Sequence, residues 1–227
     1  MRYLCIDTSA GASVALVDSE SPTPLACGAM DNPRAHAEEL TPLVTRVVAD
    51  AGFDTLADAG IGRVAVGTGP APFTGLRAGL VTARTIAWGL GVDVVGVPSI
   101  EALARAVLDL VEPGRHVVIL TDARRKEVYA GRYRAAGASG VECLWGPEVG
   151  RAADLARGFN VDDLIAGPGA QLYAENFSSI MAQPAAVDAA NLARIAEARL
   201  SQGATPSDLG TEPLYLRRPD VHVPGKR

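Results

Sequence analysis

Two stretches of the 227-residue sequence carry residue types that could act on a ligand. Asp7-Thr8-Ser9 ends the short apolar run Leu4-Cys5-Ile6, and its carboxylate and hydroxyls could face a phosphate or a cation. Gly67-Thr68-Gly69-Pro70-Ala71-Pro72 follows a second apolar run, Val64-Ala65-Val66, and leads into a long segment of helical period. A glycine-rich turn before a helix leaves free backbone N–H groups where an anion could sit. Gly and Pro can also do no more there than turn a sharp corner between strand and helix. Asp and Ser at a turn commonly bond the adjacent backbone.

Other chemistry is missing. The three histidines are far apart and form no HExxH or HxxxH pair, so no zinc-protease motif is present. There is no G-x-S-x-G elbow and no G-x-x-x-x-G-K-[ST] loop. Gly67-Thr68-Gly69-Pro70 fails as a dinucleotide loop because Pro70 follows Gly69 and the third glycine is misplaced. No pair of carboxylates stands at a spacing that singles out acid/base work. Cys5, Cys27 and Cys143, odd in number and set in apolar runs, read as reduced core residues. His36 reads as an exposed loop residue and His116 as a core or edge strand residue.

The elements around these stretches describe a folded α/β protein. Hydrophobic residues make up 48% and charged residues 21%, which places the chain outside the disordered class. A net charge of -5 argues against nucleic acid held on this chain's surface as a whole. No basic leader with an apolar stretch opens the sequence and no apolar run is long enough to span a bilayer, so a cytoplasmic location is expected. Residues 2–6 and 13–17 read as an N-terminal hairpin and Leu25 to Met30 as a third strand. Residues 36–51 read as a helix with Leu40, Leu43, Val44, Val47, Val48 and Ala51 at i, i+3, i+4 spacing; Pro42 sets its start near Glu38 or Glu39. Val92 to Val97 is a strand, and Ser99 is placed as N-cap of the helix that follows. A second half begins at His116 to Leu120, with strands near 141–145 and 164–166 and a helix at 188–202.

The helix after Pro72 carries two faces. Gly75, Leu76, Gly79, Leu80, Ala83, Ile86, Ala87 and Leu90 fall on one arc as a core face, while Arg77, Val81, Arg84 and Trp88 lie together on the other. Trp and Arg are enriched at binding hot spots, so the second arc reads either as a contact surface or as a place covered by another part of the same chain.

The run Gly67-Thr68-Gly69-Pro70-Ala71-Pro72-Phe73-Thr74-Gly75-Leu76-Arg77 resembles the TsaB (YeaZ) family. The likeness extends through Ile6-Asp7-Thr8-Ser9, His36-Ala37-Glu38-Glu39-Leu40, Ser99-Ile100-Glu101-Ala102-Leu103, Arg124-Arg125-Lys126-Glu127-Val128-Tyr129 and Pro213-Leu214-Tyr215-Leu216-Arg217. The resemblance implies the actin-like ATPase (ASKHA) superfold: α/β, two lobes, each with a mixed sheet and flanking helices. The N-terminal lobe would cover 1–98 and the C-terminal lobe 99–227, with a Pro-rich tail that can return to the first lobe. It implies a non-catalytic subunit that binds TsaD and supports transfer of threonylcarbamoyl to the adenosine next to the anticodon of tRNAs reading codons that start with A. A TsaE-type ATPase would join the complex, tRNA would be met only through it, and the free chain could form a homodimer.

The resemblance also assigns sites. It implies a partner interface of Arg77, Val81, Arg84 and Trp88 with Leu40, Leu43 and Val47 from the preceding helix. No catalytic residue, metal or cofactor is expected; Asp7, Thr8, Ser9 and Arg124 stand as candidates for a cofactor contact. Relatives of the TsaD type place a metal-binding His-x-x-x-His pair where this chain has Ser99 and Leu103. They also keep a Ser-Gly-Gly phosphate loop where it has Asp122-Ala123-Arg124-Arg125. The family's usual Gly-Pro-Gly-Ser-Phe-Thr-Gly is changed at Ala71 and Pro72, which would strain Ala71 if its φ were positive and would move the N-cap to Thr74. Two other readings stand beside this one. An active actin-like small-molecule kinase would use Asp7 near Mg²⁺ and Gly167-Pro168-Gly169 near adenosine. A metallopeptidase would need the missing histidine pair.

Overall fold

The structure, a computed structural model, describes residues 1–21, 23–30, 36–184 and 186–217, without the side chains of 36–38. The first half runs β1 (Arg2–Asp7), β2 (Ala12–Asp18), β3 (Ala26–Met30), α1 (His36–Asp50), β4 (Ile61–Gly67), α2 (Phe73–Leu90), β5 (Asp93–Val97) and α3 (Ser99–Leu108). Its sheet has the order β3-β2-β1-β4-β5. β1 pairs antiparallel with β2 and parallel with β4, and β4 runs parallel to β5. Tyr3 to Asp7 of β1 are buried, as a central strand covered on both faces requires.

The second half repeats the pattern: β6 (Val117–Arg124), β7 (Glu127–Ala136), β8 (Gly140–Gly150), α4 (Ala152–Leu155), β9 (Leu164–Ala166), α5 (Pro168–Leu172), β10 (Ile180–Met181) and α6 (Ala190–Ser201). Its sheet order is β10-β9-β6-β7-β8, the same connectivity as the first. One central core joins the two halves: Tyr3, Cys5 and Val95 from the first sheet, Val117 and Ile119 from the second, and Leu103, Val107, Leu192 and Ile195 from α3 and α6. Glu101 of α3 is buried against Arg199 of α6. Burial pushes the Glu101 carboxyl above its usual range, and Arg199 opposes that shift.

The outer face of the first sheet packs on α1 and α2 through Leu4, Ile6, Leu40, Leu43, Val47, Leu76 and Leu80. The corresponding face of the second sheet carries a smaller cluster around Val118, Leu120, Val128, Ile165 and Ala170.

The residues that follow α6 form a strap. Leu209 O accepts Gly96 N–H at 2.8 Å, and Leu214 N–H donates to Thr68 O at 2.8 Å. Arg217 Nη1 donates to Ala123 O in the second half at 2.9 Å. The expected tail beyond Arg217 lies outside the described residues.

Several local expectations are corrected. α1 begins at His36, earlier than Pro42 suggested, so that Pro42 lies inside the helix; the His36 side chain is outside the described residues. Ser99 is the first residue of α3 and not its cap: Pro98 holds that place. Only Cys5 is buried, while Cys27 and Cys143 are exposed. The two lie on β3 and β8, the end strands of their sheets, where alternate side chains point to solvent.

Candidate partner face and interlobe cleft

The turn before α2 is shaped by close backbone approach. A Cβ on Gly67 would lie 1.8 Å from Asp7 Oδ2 and 2.5 Å from Ser99 Oγ, so only glycine fits. Gly69 takes φ 94°. Its N–H donates to Ser99 Oγ at 3.0 Å and its C=O accepts Ser99 N–H at 2.7 Å. The positive φ therefore falls on Gly69; Ala71 is unstrained and buried. Pro72 occupies the N-cap of α2 in place of the expected Thr74 and makes no side-chain cap.

Leu76, Gly79, Leu80, Ala83 and Ala87 form the buried face of α2. Gly79 is needed there, since a Cβ would meet Thr8 Oγ1 at 2.3 Å. Gly91 ends the helix in the left-handed region, donating to Ala87 O and Trp88 O.

The four residues expected on the outer arc divide into two pairs. Val81 is 61% and Trp88 85% exposed. Seven positions apart, they lie within about 20° of one another around the helix. The strap occupies the other two. Arg84 Nε donates to Thr211 Oγ1 at 2.8 Å, and its Nη2 donates to Thr211 O at 2.8 Å and to Glu212 Oε1 at 3.1 Å. The Arg77 guanidinium stacks 3.5 Å from the Phe73 ring centroid, while its Nε donates to Tyr215 Oη at 2.8 Å. Open surface and self-covered surface thus coexist on one helix.

Leu40, Leu43 and Val47 do not belong to this face. They are 1%, 1% and 0% exposed and sit in the core beneath α1. Their spacing is that of a single core arc, which Val44 and Val48 complete. Gly28 of β3 lets the helix come close, as a Cβ there would stand 2.8 Å from Leu43 Cδ1. Among the described side chains of α1, Thr41, Pro42, Thr45, Arg46, Ala49 and Asp50 are the exposed ones.

Between the two halves lies a cavity of about 350 Å³, lined among others by Thr8, Ser9, Phe73, Thr74, Asp122 and Arg124. Asp7 is buried beneath it. Asp7 Oδ1 accepts the Ser9 N–H at 2.9 Å and the Ser9 hydroxyl at 2.6 Å, and Oδ2 has no hydrogen-bond partner among the described residues. The Thr8 hydroxyl donates to Gly75 O at 2.8 Å. Arg124 reaches the cavity wall while paired with Asp122 at 3.2 Å. Three of the four cofactor candidates therefore meet in one cleft, with Asp7 locked into the turn below.

The glycines of Gly167-Pro168-Gly169 have a packing role. A Cβ would meet Leu120 O at 2.5 Å from Gly167 and the Leu120 carbonyl carbon at 2.8 Å from Gly169. Ser99 and Leu103 are both buried in the core. Among the described residues no group of three or more His, Cys, Asp or Glu side chains comes together as a metal site.

One feature escaped the sequence reading. Arg124, Arg125 and Lys126 all have positive φ, at 66°, 53° and 63°. Side chains other than glycine in that region cost about 1–2 kcal/mol each. The signal was present: two turn residues between β6 and β7 with neither Gly nor Asn among them.

Known proteins match this arrangement over most of its length. The profile of the family described as TsaD: tRNA N6-adenosine threonylcarbamoyltransferase matches residues 31–206. A protein of Mycobacterium tuberculosis, described only as uncharacterized, is 39% identical over 188 residues, 83% of this chain and 78% of the relative. The tRNA threonylcarbamoyladenosine biosynthesis protein TsaB of Haemophilus influenzae is 32% identical over 133 residues, 57% of this chain and 52% of that protein. Among solved structures, YeaZ from Pseudomonas aeruginosa superposes with a TM-score of 0.76 at 26% identity, covering 95% of this chain and 99% of its own.

Two five-stranded mixed sheets of like connectivity around a shared helical core define a protein of the actin-like ATPase superfold. Within that superfold the chain belongs to the TsaB (YeaZ) family of tRNA threonylcarbamoyladenosine biosynthesis proteins.

Proposed function

We propose that this chain is a non-catalytic subunit that docks a TsaD-type transferase through the outer face of α2. In that role it supports transfer of threonylcarbamoyl to the adenosine next to the anticodon of tRNAs reading codons that start with A. A TsaE-type ATPase completes the proposed complex, which works in the cytoplasm. The same face pairs two copies when the partner is absent.

The observation that carries the reading is Trp88, 85% exposed beside a 61% exposed Val81 on a helix whose opposite face is buried. A large aromatic ring left in water next to a branched apolar side chain is the chemistry of an interface anchor. Two further observations support the absence of catalysis. Ser99 and Leu103 stand inside the core where related transferases would place imidazoles, and Arg124 reaches a wall of the cleft where they keep a small-residue loop.

Co-purification with the cognate TsaD, wild type against Trp88→Ala, tests the proposal. Truncating a desolvated anchor costs about 2 kcal/mol or more, roughly a 30-fold loss of affinity, with threonylcarbamoylation falling alongside. Failure of the wild type to bind TsaD sinks the proposal. A mutant that binds as tightly as the wild type moves the interface away from Trp88.

A further inference from the structure

Two glycines of α2 and its cap are explained by the fold, and a third, Gly89, is not. Gly79 lies on the buried face, where a Cβ would meet Thr8 Oγ1 at 2.3 Å. Gly91 ends the helix with φ 67°. Gly89, in the last turn, is exposed, and a Cβ built on it would have nothing within 4 Å. It does not adopt the left-handed backbone that favours glycine. Glycine weakens a helix relative to alanine, because the unfolded chain has more freedom to lose there. Alanine would therefore fit the free protein and stabilise it.

The rest of the chain does not supply the reason. Gly89 stands about 140° around the helix from Arg84, where the strap binds, so the strap runs along the far side of the exposed face. α1 also leaves the position clear. What lies close by is the docking anchor. Gly89 follows Trp88 directly and is about 80° around the helix from Val81, so bare helix backbone adjoins the two exposed apolar side chains.

We infer that Gly89 is where the main chain of the docked transferase comes closest to α2, and that this close approach selects which partners fit. The inference rests on the docking reading and deepens it. Trp88 anchors the partner, and Gly89 omits the side chain that would hold the partner's backbone away. Packed helices stand about 8–10 Å apart, according to the side chains at the contact, and a glycine there permits the short end of that range. The partner's surface is thereby specified: an apolar pocket for the indole, with main chain or a small residue beside it. A phosphate or carboxylate is the wrong occupant, because the last turn of a helix carries the negative end of its dipole.

The test is calorimetric titration of the full-length chain with the cognate TsaD-type protein, read beside thermal melts of the free chain. Wild type, Gly89→Ala, Gly89→Leu and Trp88→Ala are compared. Gly89→Ala should raise Tm by about 2 °C through its better helix propensity. The same variant should bind TsaD about tenfold more weakly, and Gly89→Leu about 100-fold, because a closely packed contact does not absorb added volume. Higher stability with weaker binding is a combination that misfolding does not produce. If Gly89→Ala binds within about twofold of wild type while Trp88→Ala loses its roughly 30-fold, this inference is overturned and docking stands. A lower Tm for Gly89→Ala also overturns it, since the fold itself would then need the glycine. If sedimentation shows that Gly89→Ala blocks pairing of two copies while TsaD affinity is unchanged, the close approach belongs to a second copy and the inference falls. A wild type that does not bind TsaD removes the docking reading and this inference together.

Discussion

α2 runs for 18 residues, and α5, at the same point of the second sheet's connectivity, runs for 5. α1 and α4 differ in the same way, 15 residues against 4. The strands repeat, and α3 and α6, which fill the shared core, are similar in length at 10 and 12 residues. Among the helices, therefore, the asymmetry is confined to the outer ones. The first half has kept a deep outer core and a long exposed helix face, whereas the second covers its sheet with two short turns of helix and an aromatic group of Trp145, Phe159 and Phe177. A duplicated scaffold has one half suited to presenting a rigid surface.

Truncation of the outer cores gives the largest expected effect and the most direct way to break this comparison. Leu76→Ala, fully buried under α2, should cost about 3 kcal/mol in urea unfolding, whereas Leu172→Ala at the end of α5, 56% exposed, should cost less than about 0.5 kcal/mol. Equal losses would mean that the short helices hold their sheet as strongly as the long ones. Trp88→Ala sharpens the contrast, because it should leave the unfolding midpoint nearly unchanged while weakening the partner. A folding role for Trp88 would show as a stability loss above about 1 kcal/mol. Lys126→Gly should raise stability by about 1 kcal/mol through relief of its left-handed backbone.

The smallest effect concerns the seam between the halves. Asp109, just beyond α3, is partly desolvated, which raises its pKa, but Arg194 of α6 and Arg105 outweigh this and hold the carboxyl below its usual value. A depressed carboxyl stabilises the fold above its unfolded pKa of about 3.9, and that contribution is lost as pH falls below it. Solvent screening limits it to less than about 1 kcal/mol. Wild type and Asp109→Asn should therefore differ in stability at pH 6 and converge toward pH 2, as followed by thermal melts.

Much of this was legible in the sequence, for reasons tied to particular residues. The core arc Leu76, Leu80, Ala83, Ala87 follows from helical period. The blocks that resemble the TsaB family led to the family and to the superfold. Periodicity failed where it has no reach. Nothing local to Arg77 or Arg84 indicates partners 138 and 127 positions away on the strap. Leu40, Leu43 and Val47 were placed on a partner face although their period fitted a core arc equally well, and only the sheet beneath α1 decides between the two. The apolar neighbours of Cys27 and Cys143 suggested burial, but their strands end their sheets and leave one side to solvent.

The strap also bears on how a partner sees α2. Thr211, Glu212 and Tyr215 are tethered to the helix they touch, so they meet Arg84 and Arg77 at an effective concentration that short connections set in the millimolar range. An external carboxylate or carbonyl must displace an intramolecular competitor to reach those guanidiniums, whereas Val81 and Trp88 have no competitor among the described residues of the strap. Selectivity on this face is thereby weighted toward partners that bring an apolar pocket and away from those that bring charge alone.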